Sequence, residues 1–81
     1  MTTTTILIVD DEPALVRLTR DYLVRGGFRA VTAADAGDAL HRFRADRPDL
    51  IVLDLGLPDR DGLDVIREIR RTSALPIIIL T

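Results

Sequence analysis

The sequence has no cysteine and no lysine, and its 11 basic residues are all arginine. The absence of cysteine excludes disulfide bonds and thiol chemistry and fits a reducing compartment, so we expect a cytoplasmic protein. No apolar run approaches the roughly 20 residues of a membrane span, and no membrane partner is expected. The polar start, Met1 to Thr5, lacks the basic and apolar regions of a signal peptide.

What remains is the composition of a small globular domain. The chain has 81 residues, of which 47% are hydrophobic, enough for one core and too many for a disordered segment. With 11 basic and 13 acidic side chains, the net charge is −2. This balance argues against a general affinity for nucleic acid, which favours a basic face.

Short apolar runs alternate with helical patterns along the whole chain. The runs predict buried strands over 6–10, 28–32, 50–54 and 76–81. The helical patterns cover 12–25, then Asp35 to about Asp46, and Gly62 to about Arg71. This βαβαβαβ order predicts a doubly wound, parallel α/β sheet with helices on both faces.

The apolar residues of each predicted helix recur at helical spacing. They mark one face of the first helix (Leu15, Leu18, Tyr22) and of the second (Ala36, Ala39, Leu40, Phe43). In the third helix we expect the apolar residues to point inward (Leu63, Val65, Ile66, Ile69).

Three carboxylates follow two of the predicted strands. Asp10 and Asp11 end the first strand, and Asp54 ends the third. In a sheet of order 2-1-3-4 these strands are neighbours, and the ligand site lies where their connections diverge. The three acids should therefore meet, and a hard cation such as Mg²⁺ would relieve their repulsion.

Each acid also has an interpretation without a site. Asp11 alone could cap the first helix, and Asp54 alone could be a loop residue at a strand end. Other polar residues are expected to be solvated or exposed without a catalytic role (Asp59, Asp61, Asp64, His41).

The chain resembles the receiver domain of two-component response regulators, which has a flavodoxin-like fold. Motifs in the family's order carry the resemblance: the first strand and acidic pair in "ILIVDDEP", the phosphoacceptor strand, loop and third helix in "DLIVLDLGLPDRDGLDVIREIR", and the fourth strand with its terminal hydroxyl residue in "LPIIILT". The loop "DLGLPDRDG" further resembles regulators with a winged-helix DNA-binding output.

The resemblance implies a role for each matching residue. Asp54 would accept a phosphoryl group from a sensor histidine kinase. Asp11 and Asp54 would bind Mg²⁺ directly, Asp10 would bind it through water, and the carbonyl of Gly56 would be a further ligand. Thr81 would hydrogen-bond the phosphoryl group and change position with it, so the domain would be a signalling acceptor rather than an enzyme.

The match spans only the first part of the family's domain. Residues 1–81 would be an incomplete receiver domain, without the fifth strand, its lysine and the last two helices. DNA would be contacted only through an output domain that these residues do not include. The apolar strand 76–81 would then be an edge, which favours self-association.

Two other functions remain open from the sequence. One is a structural half-domain with an idle acidic pocket that associates through residues 76–81. The other is an Mg²⁺-dependent phosphatase, which typically places two aspartates one residue apart after the first strand. Here Asp10 and Asp11 are adjacent, which argues against the phosphatase.

Overall fold

A computed structural model describes residues 3–80 of the chain. Its elements are β1 (Thr5–Val9), α1 (Pro13–Arg25), β2 (Arg29–Ala33), α2 (Ala36–Asp46), β3 (Leu50–Asp54), α3 (Gly62–Arg70) and β4 (Ile77–Leu80). The predicted alternation of strands and helices is confirmed. The first two strands are each shifted by one residue from their predicted bounds, so Asp10 lies just beyond β1.

The four strands form one parallel sheet in the predicted order, β2-β1-β3-β4. The central strand β1 pairs on one side with β2, where Ile6 is opposite Ala30, and on the other with β3, where Ile6 is opposite Leu50. This order places the carboxyl ends of β1 and β3 side by side, at the position where ligands bind in doubly wound sheets.

Local sequence sets the ends of the first helix. Pro13 is the first residue of α1, where its missing N–H removes no helical hydrogen bond. At the other end Gly27 has a φ of +92°, a left-handed conformation that glycine adopts without strain. Within residues 3–80, none of the helices has the length and apolarity needed to cross a membrane.

The main hydrophobic core lies between the sheet and the pair α2 and α3. It is built from alternate residues of β1 and β3, from Ala33 at the end of β2, and from the apolar residues of the two helices (Leu7, Val9, Ala33, Ala36, Ala39, Leu40, Ile51, Leu53, Val65, Ile69). The residues between them in β1, Ile6 and Ile8, are 3% and 2% exposed. They point to the opposite face, where α1 packs.

The structure shows which parts of the predicted apolar stripes are buried, and it corrects one expectation. The apolar stripe of α1 is exposed, with Leu18 at 55% and Tyr22 at 67%, and α1 contributes no buried residue. In α3, Leu63 is 41% exposed rather than inward, whereas Val65 and Ile69 are fully buried as predicted. Leu63 is only the second residue of α3.

Candidate functional site

Asp10 and Asp11 lie directly beyond the carboxyl end of β1. The N–H of Asp10 donates to the carbonyl of Ala33 at 3.1 Å, which continues the pairing with β2 and fixes the backbone. The Asp10 side chain is 5% exposed, and its Oδ1 accepts the N–H of Glu12 at 3.0 Å. Asp11 is exposed, so one acid of the pair is buried and the other faces solvent.

Asp54 is the last residue of β3 and is half-buried. Its Oδ1 accepts the N–H of Gly56 at 3.1 Å, a local turn that orients the carboxylate. Because Val9 is opposite Leu53 in the sheet, the residues that follow these two, Asp10 and Asp54, lie at the same level. Asp54 is therefore the terminal residue of a strand beside the end of its neighbour, rather than a residue within the loop.

The three carboxylates form one cluster. One oxygen from each of Asp10, Asp11 and Asp54 lies within 4.8 Å of the others. Within residues 3–80, no arginine lies within ion-pairing distance of any of them. Carboxylates gathered without a positive partner repel one another, and a set of oxygen ligands without histidine or cysteine suits a hard divalent cation.

The other residues singled out in the sequence have the following places in the structure. The alternative that Asp11 caps α1 is wrong, because Glu12 is the N-cap and accepts the N–H of Ala14 at 3.4 Å. His41 is exposed as predicted. Gly56 lies beside the cluster through its hydrogen bond to Asp54. Thr81 lies outside the described residues, and its role stays a prediction.

A comparison of the sequence with protein-family models assigns residues 6–81 to the response regulator receiver domain. The chain belongs to this family. The predicted resemblance is thereby confirmed, and the acidic cluster lies in a receiver domain of two-component systems.

Similar proteins extend the comparison to individual regulators. The chain is 49% identical over 76 residues to the transcriptional regulatory protein AfsQ1 of Streptomyces coelicolor, covering 94% of this chain and 34% of that protein. It is 45% identical over 78 residues to the KDP operon transcriptional regulatory protein KdpE of Escherichia coli, covering 96% and 35%. The chain thus spans about a third of the length of these curated relatives. Both are transcriptional regulators by name, in agreement with the predicted subfamily.

The fold also matches solved receiver structures. The crystal structure of the response regulator TrrA of Thermotoga maritima, in complex with Mg²⁺-BeF, superimposes with a TM-score of 0.90 at 38% identity. The match covers 98% of this chain and 70% of that chain. The order of strands and the acidic cluster therefore occur here in the framework of a known receiver fold.

One residue of the receiver domain has a role that its sequence position did not indicate. Asp59, in the loop between β3 and α3, is exposed as expected, but it also bonds the N-terminus of α2. Its Oδ1 accepts the N–H of Ala36 at 2.7 Å, and its Oδ2 accepts the N–H of Gly37 at 3.0 Å. The bond from Ala36, followed by that from Gly37, lowers the pKa of Asp59.

The neighbouring acids also have partners that were not predicted. Asp61 is the N-cap of α3 and accepts the N–H of Leu63 at 2.9 Å, while Asp64 pairs with Arg67 at 2.8 Å. The capping of α3 has a local signal, since an aspartate directly precedes Gly62. The contact of Asp59 with α2 joins residues more than 20 positions apart and has no such signal.

Proposed function

We propose that the receiver domain accepts a phosphoryl group on Asp54 in two-component signalling. The observation that carries the proposal is the meeting of Asp10, Asp11 and Asp54, whose oxygens lie within 4.8 Å of one another at the ends of adjacent strands. Asp54 is half-buried at a strand end and oriented by Gly56. A nucleophile held in one orientation is what phosphoryl transfer requires, since positioning supplies much of its catalysis.

Mg²⁺ is the cofactor that fits these residues. We assign Asp11 and Asp54 as direct ligands, Asp10 as a ligand through water, and the carbonyl of Gly56 as a further ligand. The donor set is oxygen only, which Mg²⁺ prefers, and three acids without an arginine partner leave negative charge to be balanced. When bound, Mg²⁺ supplies positive charge that stabilises the transferring phosphoryl group.

The transfer has a simple balance of bonds. A carboxylate oxygen of Asp54 forms a bond to phosphorus, and the bond from phosphorus to the imidazole nitrogen of the donor histidine breaks. The electron pair of that bond leaves on the imidazole, and the product is an aspartyl phosphate. The donor is a sensor histidine kinase, and Thr81 is proposed to hydrogen-bond the new phosphoryl group.

The phosphoryl group then acts as a signal. It adds negative charge at the carboxyl edge of the sheet and shifts a two-state surface that an output domain reads. We propose transcription as the output, because it is the activity named for the similar regulators AfsQ1 and KdpE. The domain is therefore mainly a phosphoacceptor that assists its own phosphorylation.

Replacing Asp54 by asparagine is expected to abolish phosphorylation. The chain is incubated with Mg²⁺ and acetyl phosphate, and its intact mass is measured. The wild type is expected to gain one phosphoryl group and Asp54→Asn none, because the amide is not a nucleophile towards phosphorus. Chelation of Mg²⁺ is expected to remove the gain in the wild type as well.

Asp64→Asn is the matched control, since it removes an acid in the first turn of α3 that is not a member of the cluster. It is expected to gain one phosphoryl group like the wild type. A gain in Asp54→Asn would move the acceptor to another residue. A folded wild type that gains nothing in the presence of Mg²⁺ would contradict the proposal.

A second candidate function, self-association, is favoured by one observation at β4, an edge strand of the described sheet. β4 has no neighbour on its outer side within residues 3–80, and Ile78, Ile79 and Leu80 are 50%, 46% and 41% exposed. An apolar edge strand without charge offers its free backbone groups to another chain. The chain would then pair with a second copy through β4.

Replacing Ile78 by lysine is expected to convert a concentration-dependent dimer into a monomer, as measured by sedimentation velocity. A charge on an edge strand opposes pairing because the partner strand would have to bury it. The control is Leu18→Lys, which places the same charge on the exposed face of α1 and is expected to leave the dimer intact. A wild type that stays monomeric at all concentrations would exclude this function.

A further inference from the structure

Hydrogen bonds at its start, middle and end hold the loop over residues 55–61. At its start, the N–H of Gly56 donates to Asp54 at 3.1 Å. At its end, the N–H of Gly62 donates to the carbonyl of Leu55 at 3.2 Å, which closes the loop on itself. Between them, Asp59 bonds the N-terminus of α2, an element that precedes β3 in the chain. We name the two hydrogen bonds from Ala36 and Gly37 to Asp59 the Asp59 cap.

The Asp59 cap completes the N-terminus of α2. A helix leaves its first four N–H groups without helical partners. The N–H of Ala39 makes the first helical bond, to the carbonyl of Asp35 at 3.0 Å, so the groups left without a helical partner within α2 are those of Ala36, Gly37 and Asp38. Asp35, the N-cap, accepts the N–H of Asp38 through its side chain at 2.7 Å. The remaining two, from Ala36 and Gly37, donate to Asp59. Asp59, a residue of the loop, thus accepts the two N–H groups that the N-cap Asp35 does not.

The charge of Asp59 suits this position. A carboxylate at a helix N-terminus is stabilised by the exposed N–H groups and the helix dipole. The lowered pKa of Asp59 has the same cause. Because both oxygens are engaged at 2.7 and 3.0 Å, the contact fixes the orientation of the side chain as well as its location.

The attachment matters because Gly56 lies three residues before Asp59 in the same short loop. Gly56 is exposed, and no side chain of its own holds its backbone. Its N–H is bonded to one of the clustered acids, and its carbonyl is the ligand assigned above. Any change in the loop backbone between 56 and 59 therefore changes the position of that carbonyl relative to Asp54.

We propose that Asp59 is a positioning residue for the cation site: by bonding Ala36 and Gly37 it holds the loop in the conformation in which Gly56 faces Asp54. This inference rests on the proposed Mg²⁺ site and adds a residue outside the cluster to it. Asp59 does not touch the cation. It acts as an outer partner that orients a ligand, and such partners change metal affinity when they are removed.

Mg²⁺ affinity of the whole chain tests the proposal, measured by isothermal titration calorimetry with magnesium chloride. Asp59→Ala is expected to bind Mg²⁺ about 10-fold more weakly than the wild type, as is common for outer partners of metal ligands. Asp59→Asn keeps one acceptor oxygen and is expected to restore part of the affinity. It also serves as the folded variant if Asp59→Ala is not stable.

Asp35→Ala is the matched control, because it removes a cap from the same helix whose side-chain hydrogen bond goes to Asp38 of α2. It is expected to lose stability but to keep the Mg²⁺ affinity of the wild type. Amide hydrogen exchange gives a readout independent of the metal. The N–H of Gly56 is expected to exchange faster in Asp59→Ala than in Asp35→Ala, both without Mg²⁺.

The outcomes separate this inference from the proposed function. If the wild type binds Mg²⁺ and Asp59→Ala binds it equally well, the positioning role is wrong and the cation site stands. An equal loss of affinity in Asp35→Ala also overturns it, since general helix destabilisation would then be the cause. If the wild type binds no Mg²⁺, both the cation site and the role of Asp59 fail.

Discussion

Gly62→Ala is expected to destabilise the chain by roughly 3 kcal/mol, the upper part of the range for overpacked sites. Gly62 is buried at the first position of α3. A Cβ there would lie 2.7 Å from Cα of Leu55 and 3.2 Å from the carbonyl oxygen of Asp54. These are backbone atoms, so the clash can be relieved only by moving the loop or the helix. Urea unfolding followed by circular dichroism measures the loss.

Gly56→Ala is the control for this substitution, because it lies in the same loop. Its Cβ would approach no atom more closely than Oδ1 of Asp54 at 3.7 Å, an ordinary contact. Its effect on stability is expected to stay within about 0.5 kcal/mol, as at other sites free of a specific constraint. Equal destabilisation by both variants would show that the close approach of Leu55 to Gly62 is not the cause.

Leu53→Ala is expected to cost about 3 to 4 kcal/mol, since it removes a fully buried side chain from the centre of the core. Leu53 lies in β3 between Val9 of β1 and Ile79 of β4, and it belongs to the cluster that α2 and α3 cover. A chain of this size has a modest stability. The variant should therefore unfold at far lower urea concentration than the wild type.

Leu18→Ala is the same substitution at an exposed position of α1. Leu18 is 55% exposed, so truncation removes less than half of the free energy that a fully buried leucine gains from burial. Alanine also has a high helix propensity, which reduces the loss further. We expect a change of about 1 kcal/mol or less. If Leu18→Ala proved as destabilising as Leu53→Ala, the face of α1 would have to be buried in solution.

The order of elements could be predicted because each has a local signal. The run from Leu50 to Leu53 is apolar and short, as in a buried parallel strand. Pro13 and Gly27 mark the two ends of α1 in positions that their backbone preferences favour. The convergence of Asp10 and Asp54 then followed from the rules of doubly wound sheets, and the structure confirms it.

The rest depends on contacts between distant parts of the chain. Helical spacing placed Leu18 and Leu63 on apolar stripes, but it does not tell which part of a stripe another element covers. Asp59 is exposed, as expected for an acid in a surface loop, but its bonds to α2 had no local signal. Its partners, Ala36 and Gly37, come close to Asp59 only in the folded sheet, where β3 lies beside β1.

The position of β1 at the centre of the described sheet has a consequence for synthesis on the ribosome. β1 is made first, yet β3, which completes its second side, follows about 44 residues later, since Ile6 is opposite Leu50. At translation rates of roughly 5–20 residues per second, several seconds pass between the synthesis of the apolar segment Thr5–Val9 and that of β3. During that interval the strand that becomes the most deeply buried is the one most open to chaperones and to misplaced pairing.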